Sequence, residues 1–191
     1  MSVVNLSEQK LVNGQFADEV LKHTGVNVRD CYQCGKCSAG CPIAFAMDIR
    51  PNRVIRMVQL GMKDEVLESR TIWVCATCST CTARCPRGVD PARIMDGLRI
   101  MALEAGKTAN AENEVAVHKL FMDSIGKYGR LYELELFLRL TLKTGFLFKN
   151  TDLALPMLTK GKLSFLPTKL KGANEVKKII EAAARLEGEQ A

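Results

Sequence analysis

Two short stretches, CYQCGKCSAGCP from Cys31 to Pro42 and CATCSTCTARCP from Cys75 to Pro86, hold all 8 cysteines of the chain. The spacing is the same in both. Three cysteines stand with two residues between neighbours, a fourth follows after three more, and proline closes the run. No other feature restricts the fold as much, because thiols that must meet at a common centre fix the surrounding backbone. The first residues, MSVVNLSEQK, lack the basic start and apolar core of a signal peptide. No apolar run approaches the length of about 18 residues that crosses a bilayer. The expectation is a cytoplasmic protein. Thiols are kept reduced there, so repeated cysteines point to metal rather than disulfides.

A four-thiolate zinc site is the simplest metal alternative, but such sites are usually built from separated C-x2-C pairs. Three cysteines marching at two-residue intervals, then a fourth before proline, resemble the bacterial ferredoxin pattern for a cubane iron–sulfur cluster. Two intact runs with no cysteine left over predict two [4Fe–4S] clusters. In two-cluster ferredoxins the fourth cysteine of each run ligates the other cluster. Carried over, that pattern implies one cube on Cys31, Cys34, Cys37 and Cys85. The second cube would sit on Cys75, Cys78, Cys81 and Cys41. Gly35 and Gly40 are candidate points of close backbone approach, or simply turn residues. The second run has Ser79 where the first has Gly35.

The segments around the runs read as helix. Pro51 suits a first turn, Val54, Ile55 and Val58 form a stripe, and Gly61 suits a C-terminal cap. Asp90 and Pro91 read as N-cap and first helical residue. Ile94, Leu98, Met101, Ala102 and Ala105 follow, and Gly106 ends the helix. PNRVI at 51–55 matches PARIM at 91–95, with an offset of 40 residues at the prolines and 44 at the cysteines. The chain is thus internally duplicated, with a four-residue insertion in the first copy. Further helices are predicted over 16–25 (Phe16, Val20, Leu21), 112–125 (Val117, Phe121, Ile125), 131–142 (Leu131, Leu134, Leu138) and 174–187 (Val176, Ile179, Ile180, Ala183). Strand signal is scarce. The fold class is mainly α, an α-helical ferredoxin-like domain with two clusters and helical N- and C-terminal extensions. The expected divisions are 1–26, 27–108 for the two-cluster domain, 109–142, and a basic, apolar tail over 143–191.

Net charge is +6, and its excess sits in residues 143–180, which carry 8 basic and 2 acidic side chains. Aromatics make up only 6% of the chain, and no nucleic-acid-binding motif accompanies the lysines. His23 and His118, the only histidines, lie outside both runs. No nucleophile–base pair, phosphate loop or dinucleotide fingerprint is present, so no catalytic residue is assigned. Trp73 reads as packing.

The runs, the RPNRVIRMVQLG helix and WVCATCSTCTARCPRGVDPARIM, in that order, resemble the α-helical ferredoxins of the succinate dehydrogenase and fumarate reductase group. Within it, the resemblance over about residues 22–105 is greatest to the C subunits of the CoB–CoM heterodisulfide reductases of methanogenic archaea. KGKLSFLPTKLKG at 160–172 is similar but less specific. The resemblance implies a relay. Electrons would pass from a flavin-containing subunit through the two clusters to a catalytic subunit, which reduces CoM-S-S-CoB, with a hydrogenase or formate dehydrogenase feeding the complex. The adjacent Cys-Cys pair of the substrate-cleaving subunit does not occur in this sequence. An iron–sulfur subunit of a succinate-, fumarate- or glycolate-type oxidoreductase, and a structural zinc protein, are the alternatives. Lys36, Arg84, Arg87, Arg53 and Arg93 are candidates for favouring the reduced clusters, or for solvated surface and partner contacts. The tail over 143–173 is expected either to wrap the chain's own helices or to dock on the catalytic subunit.

Overall fold

A computed structural model describes residues 14–144 and 166–190. Most of the expected docking tail, residues 145–165, lies outside them. Among the described residues there are helices and no strand. The chain divides into two compact units, with the boundary between Glu112 and Asn113.

The first unit contains α1 (Gln15–Thr24), α2 (Lys36–Ala39), α3 (Pro51–Gln59), α4 (Lys63–Leu67), α5 (Thr71–Val74), α6 (Thr80–Ala83) and α7 (Pro91–Glu104). Helices α3 and α7 begin as the sequence predicts. Each has proline at its first turn, and Asp90 caps α7 by accepting from the Arg93 N–H at 3.0 Å. Their C-terminal glycines, Gly61 and Gly106, sit at φ 75° and 67°, the left-handed conformation that only glycine takes without strain. Helix α7 is the hub: α1, α4, α5 and α6 pack on it, while α1 also packs on α3. Val20, Val54, Ile55, Val58, Leu67, Ile72, Ile94, Met95 and Leu98 form the buried core, with Trp73 beside them.

On α1 the buried face is Phe16, Ala17, Val20 and Thr24, and Leu21 is exposed. The predicted stripe is thus turned by one residue. Polar Thr24 takes the inner position because its hydroxyl donates to the Val20 carbonyl at 2.6 Å and accepts from the Val26 N–H at 3.1 Å. Its methyl lies against Gly97, where no side chain competes for the space. Ala105, expected on the inner face of α7, is its exposed C-cap.

Helix α8 (Glu112–Tyr128) leads into the second unit, which holds α9 (Glu133–Thr144) and α10 (Ala173–Gln190). The Leu170 N–H donates to the Tyr128 carbonyl at 3.0 Å, and Gly129, at φ 76°, gives room for Ala173. Val117, Leu131 and Leu134 are half-buried, but Phe121, Leu138, Ile179 and Ala183 are exposed. The predicted stripes exist, yet a unit this small has little interior to bury them in.

Candidate cluster sites

Each cysteine run folds in the same way. In the first, Gln33 and Gly35 have positive φ, 64° and 76°; in the second, Thr77 and Ser79, 44 residues on, have φ 50° and 57°. A short helix follows, α2 or α6. This pair of left-handed residues curls the backbone so that successive thiols face one centre. At Gly35 the positive φ is the visible demand on glycine. At Gly40 φ is an ordinary −96°, and the space a Cβ would need is taken by the Arg84 side chain. Gly40 and Arg84 are themselves equivalent positions of the two runs, meeting where α2 packs on α6.

The sequence-predicted cysteines gather into two groups. One open cavity, about 300 Å³, is lined by Cys31, Cys34, Cys37 and Cys85, with Asn52, Ile55, Val89 and Pro91. The other, about 390 Å³, is lined by Cys75, Cys78, Cys81 and Cys41, with Pro42, Ile43, Met47, Pro51, Pro91, Ala92 and Met95. Each cavity thus takes three cysteines from one run and the fourth from the other. Pro91, the first residue of α7, lines both. Lys36 lines the first cavity, with Thr80 at the equivalent position of the second. His23 and His118 line neither.

The donor set suits an iron–sulfur cube. Four thiols and no carboxylate or imidazole face each cavity, whose other walls are mainly apolar. The thiols surround the cavities rather than closing on a point: among the described residues no three Cys, His, Asp or Glu side chains meet as on a single ion. Burial pushes the Cys37 thiol up, and hydrogen bonding with Ser38 only partly opposes it. Burial likewise pushes Cys81 up against contacts with Thr82. The exposed Cys78 is lowered by the Thr80 hydroxyl and backbone. Iron binding displaces these protons, since the thiolate is the ligand form.

Several supporting residues escaped the sequence reading. Gln33 Nε2 donates to Cys31 Sγ at 3.4 Å, and Asn52 Nδ2 donates to Gln33 Oε1 at 3.4 Å. The Asn52 N–H donates to Ser38 Oγ at 2.9 Å, completing a polar chain behind the first site. Asp48 accepts from the Arg70 and Thr71 N–H groups at 2.9 and 2.8 Å and from the Thr71 hydroxyl at 2.5 Å. That knot ties the loop after the first run to α5, which leads into the second. Burial would raise the Asp48 carboxyl, but these hydrogen bonds outweigh it and hold the group below its usual value. Gln59 and Arg99 reach from α3 and α7 to the loops that carry Cys31 and Cys75. Their shared place, eight residues after the matched prolines Pro51 and Pro91, was the one signal in the sequence that marks them as a pair.

Residues 27–89 match a family described as a 4Fe-4S dicluster domain. Over 128 residues the chain is 38% identical to the C 2 iron–sulfur subunit of the CoB–CoM heterodisulfide reductase of Methanocaldococcus jannaschii, covering 63% of this chain and 67% of that protein. It is 38% identical over 108 residues to the corresponding iron–sulfur C subunit of Methanopyrus kandleri, covering 56% of this chain and 54% of that one. Identity is 32% over 103 residues to the C subunit of the H(2):CoB-CoM heterodisulfide,ferredoxin reductase of Methanothermobacter marburgensis, 54% of each chain. Two [4Fe–4S] clusters are therefore the cofactors of this chain, two sets of four thiolates being what its cysteines supply.

Proposed function

Because the chain belongs to the family of the iron–sulfur C subunits of CoB–CoM heterodisulfide reductases, we propose that it is a non-catalytic relay within such a complex in the cytoplasm. Electrons enter from a flavin-containing subunit and leave to a catalytic subunit that reduces CoM-S-S-CoB. The names of relatives, which include the C2 subunit of an H(2)/formate:CoB-CoM heterodisulfide,ferredoxin reductase from Methanococcus maripaludis, support a hydrogenase or formate dehydrogenase as the source. The chain spans 67% of one of these relatives and about half of the others. Among the described residues no helix is long and apolar enough to cross a membrane.

One observation carries the relay reading: two four-cysteine cavities lie in one unit and share Pro91 as a wall. Cys31, Cys34, Cys37 and Cys85 hold the first cluster, and Cys75, Cys78, Cys81 and Cys41 the second. When bound, each cluster accepts and releases one electron at a time. The residues of the chain supply the setting. Pro42, Ile43, Met47 and Met95 give the second cavity apolar walls. Helix α7 begins between the two cavities, and the positive end of its dipole favours added negative charge in both. Cys34 and Cys78, the exposed members of the two sets, bring an edge of each site to the surface, where a partner's redox centre must approach.

The test is ligand exchange in the anaerobic, cluster-loaded chain. The native chain holds about eight iron and eight sulfide, four thiolates serving each cube. Cys85→Ala alters the paramagnetic spectrum of the cluster on Cys31, Cys34 and Cys37 and spares the other; Cys41→Ala does the reverse. If each substitution damages only the cluster of its own run, the crossed assignment is wrong. About two zinc and no acid-labile sulfide would remove the cluster reading altogether.

A further inference from the structure

Gln59 and Arg99 each stand eight residues after the proline that begins their helix, Pro51 in α3 and Pro91 in α7. They make the same contacts. Gln59 Nε2 donates to the Val28 carbonyl at 2.7 Å and the Cys31 carbonyl at 3.0 Å. Arg99 Nε donates to the Ile72 carbonyl at 2.5 Å, and its Nη2 donates to the Cys75 carbonyl. Val28 and Ile72 each lie three residues before the first cysteine of their run. The fold therefore applies one clamp twice, once with a neutral amide and once with a cation.

The cation is held in place. Arg99 is only 13% exposed, and its Nη1 also donates to Thr77 Oγ1 at 3.3 Å. Its ion-pair partner Asp96, at 3.4 Å, is 61% exposed, so water screens much of that countercharge. Two cations lie near the first site, Lys36 at its cavity and Arg56, whose Nη1 donates to Gln59 Oε1 at 3.1 Å, but both are exposed and screened by water.

We propose that Arg99 is a positioning residue that sets the reduction potentials of the two clusters apart, raising the one beside the Cys75 loop while Gln59 leaves its counterpart unshifted. The proposal rests on the two-cluster reading. Reduction adds one electron and no proton to a cube already negative through its four thiolates, so the site becomes one unit more negative. A fixed cation stabilises the reduced form more than the oxidised form. At an effective dielectric constant of about 20 and a separation of about 10 Å, one charge alters the equilibrium on the order of tenfold. For a one-electron couple that is about 59 mV.

The experiment is a reductive titration of the anaerobic, cluster-loaded full chain with titanium(III) as electron source, read by paramagnetic resonance. Arg99→Gln is the first variant, because Gln59 shows that an amide can hold the same pair of carbonyls. It lowers one of the two midpoints by about 59 mV, the tenfold equivalent, and leaves the other in place. Gln59→Arg raises that other midpoint, and it decides alone if Arg99→Gln loses its clusters. Arg99→Lys keeps the charge but not the two-point clamp, so it retains the native midpoint while lowering the unfolding temperature. Unmoved midpoints, equal shifts of both clusters in one variant, or an Arg99→Lys shift as large as that of Arg99→Gln overturn the proposal. Iron and sulfide content of the native chain separates this failure from failure of the cluster reading itself.

Discussion

Gly97 sits in the middle of α7 where α1 crosses it, and a Cβ there would lie well inside the 3.4 Å of ordinary contact from Thr24 Cγ2. Gly97→Ala alone gains about 1 kcal/mol of helix propensity. Overpacking of a tight interior costs about 1–3 kcal/mol against it. Which effect wins depends on whether Thr24 can move. Its hydroxyl holds the Val20 carbonyl and the Val26 N–H at 2.6 and 3.1 Å, so rotating the methyl away breaks one buried and one part-buried hydrogen bond. The overpacking term therefore prevails, and Gly97→Ala destabilises the chain by about 1 kcal/mol, the difference between the two. Thr24→Ser keeps the hydroxyl and deletes the methyl, a loss of about 0.8 kcal/mol. In the double variant the new Cβ occupies the vacated space, so the costs do not add; the coupling is about 1–2 kcal/mol. Denaturant unfolding of the four cluster-loaded chains, followed by far-UV circular dichroism under anaerobic conditions, measures the cycle. A Gly97→Ala chain as stable as the native one, or purely additive costs in the double variant, would refute the reasoning.

Ser79 holds a left-handed backbone, φ 57°, where the first run has Gly35. Left-handed strain of about 1–2 kcal/mol outweighs glycine's entropy, so Ser79→Gly stabilises by about 0.5 kcal/mol; a clear loss in unfolding midpoint would contradict this. The fold lowers the Asp48 carboxyl, so its ionised form stabilises the native state. That contribution is full above the unfolded value of about 3.9 and is lost as pH falls through the lower folded value. Asp48→Asn accordingly costs about 1 kcal/mol at neutral pH and less under acid conditions; a penalty that grew on acidification would show that the hydrogen bonds favour the protonated form. All 8 cysteines precede the boundary after Glu112, so a chain ending there retains the native iron and sulfide content. Loss of iron from it would show that the second unit supports the sites.

The chemistry and the helical frame were legible because both are written locally. Cysteine spacing names a ligand set, and Pro51, Pro91, Asp90, Gly61 and Gly106 mark helix ends by their own backbone preferences. Even the duplication shows in PNRVI and PARIM. What the sequence leaves open is decided by contacts between distant residues. Periodicity puts Leu21 and Thr24 on equal terms, and only the bare surface of Gly97 on another helix turns Thr24 inward. Gly40 reads as a turn residue until Arg84, the equivalent residue of the other run, is seen lying across it. Asp48, Gln59 and Arg99 look like ordinary surface polar residues, since nothing near them in sequence reveals the carbonyls and N–H groups they bind more than twenty residues away. A one-dimensional pattern records each residue's own preference. Which partner meets it, and hence whether a clamp beside a cysteine loop is neutral or charged, is settled only when the two halves pack.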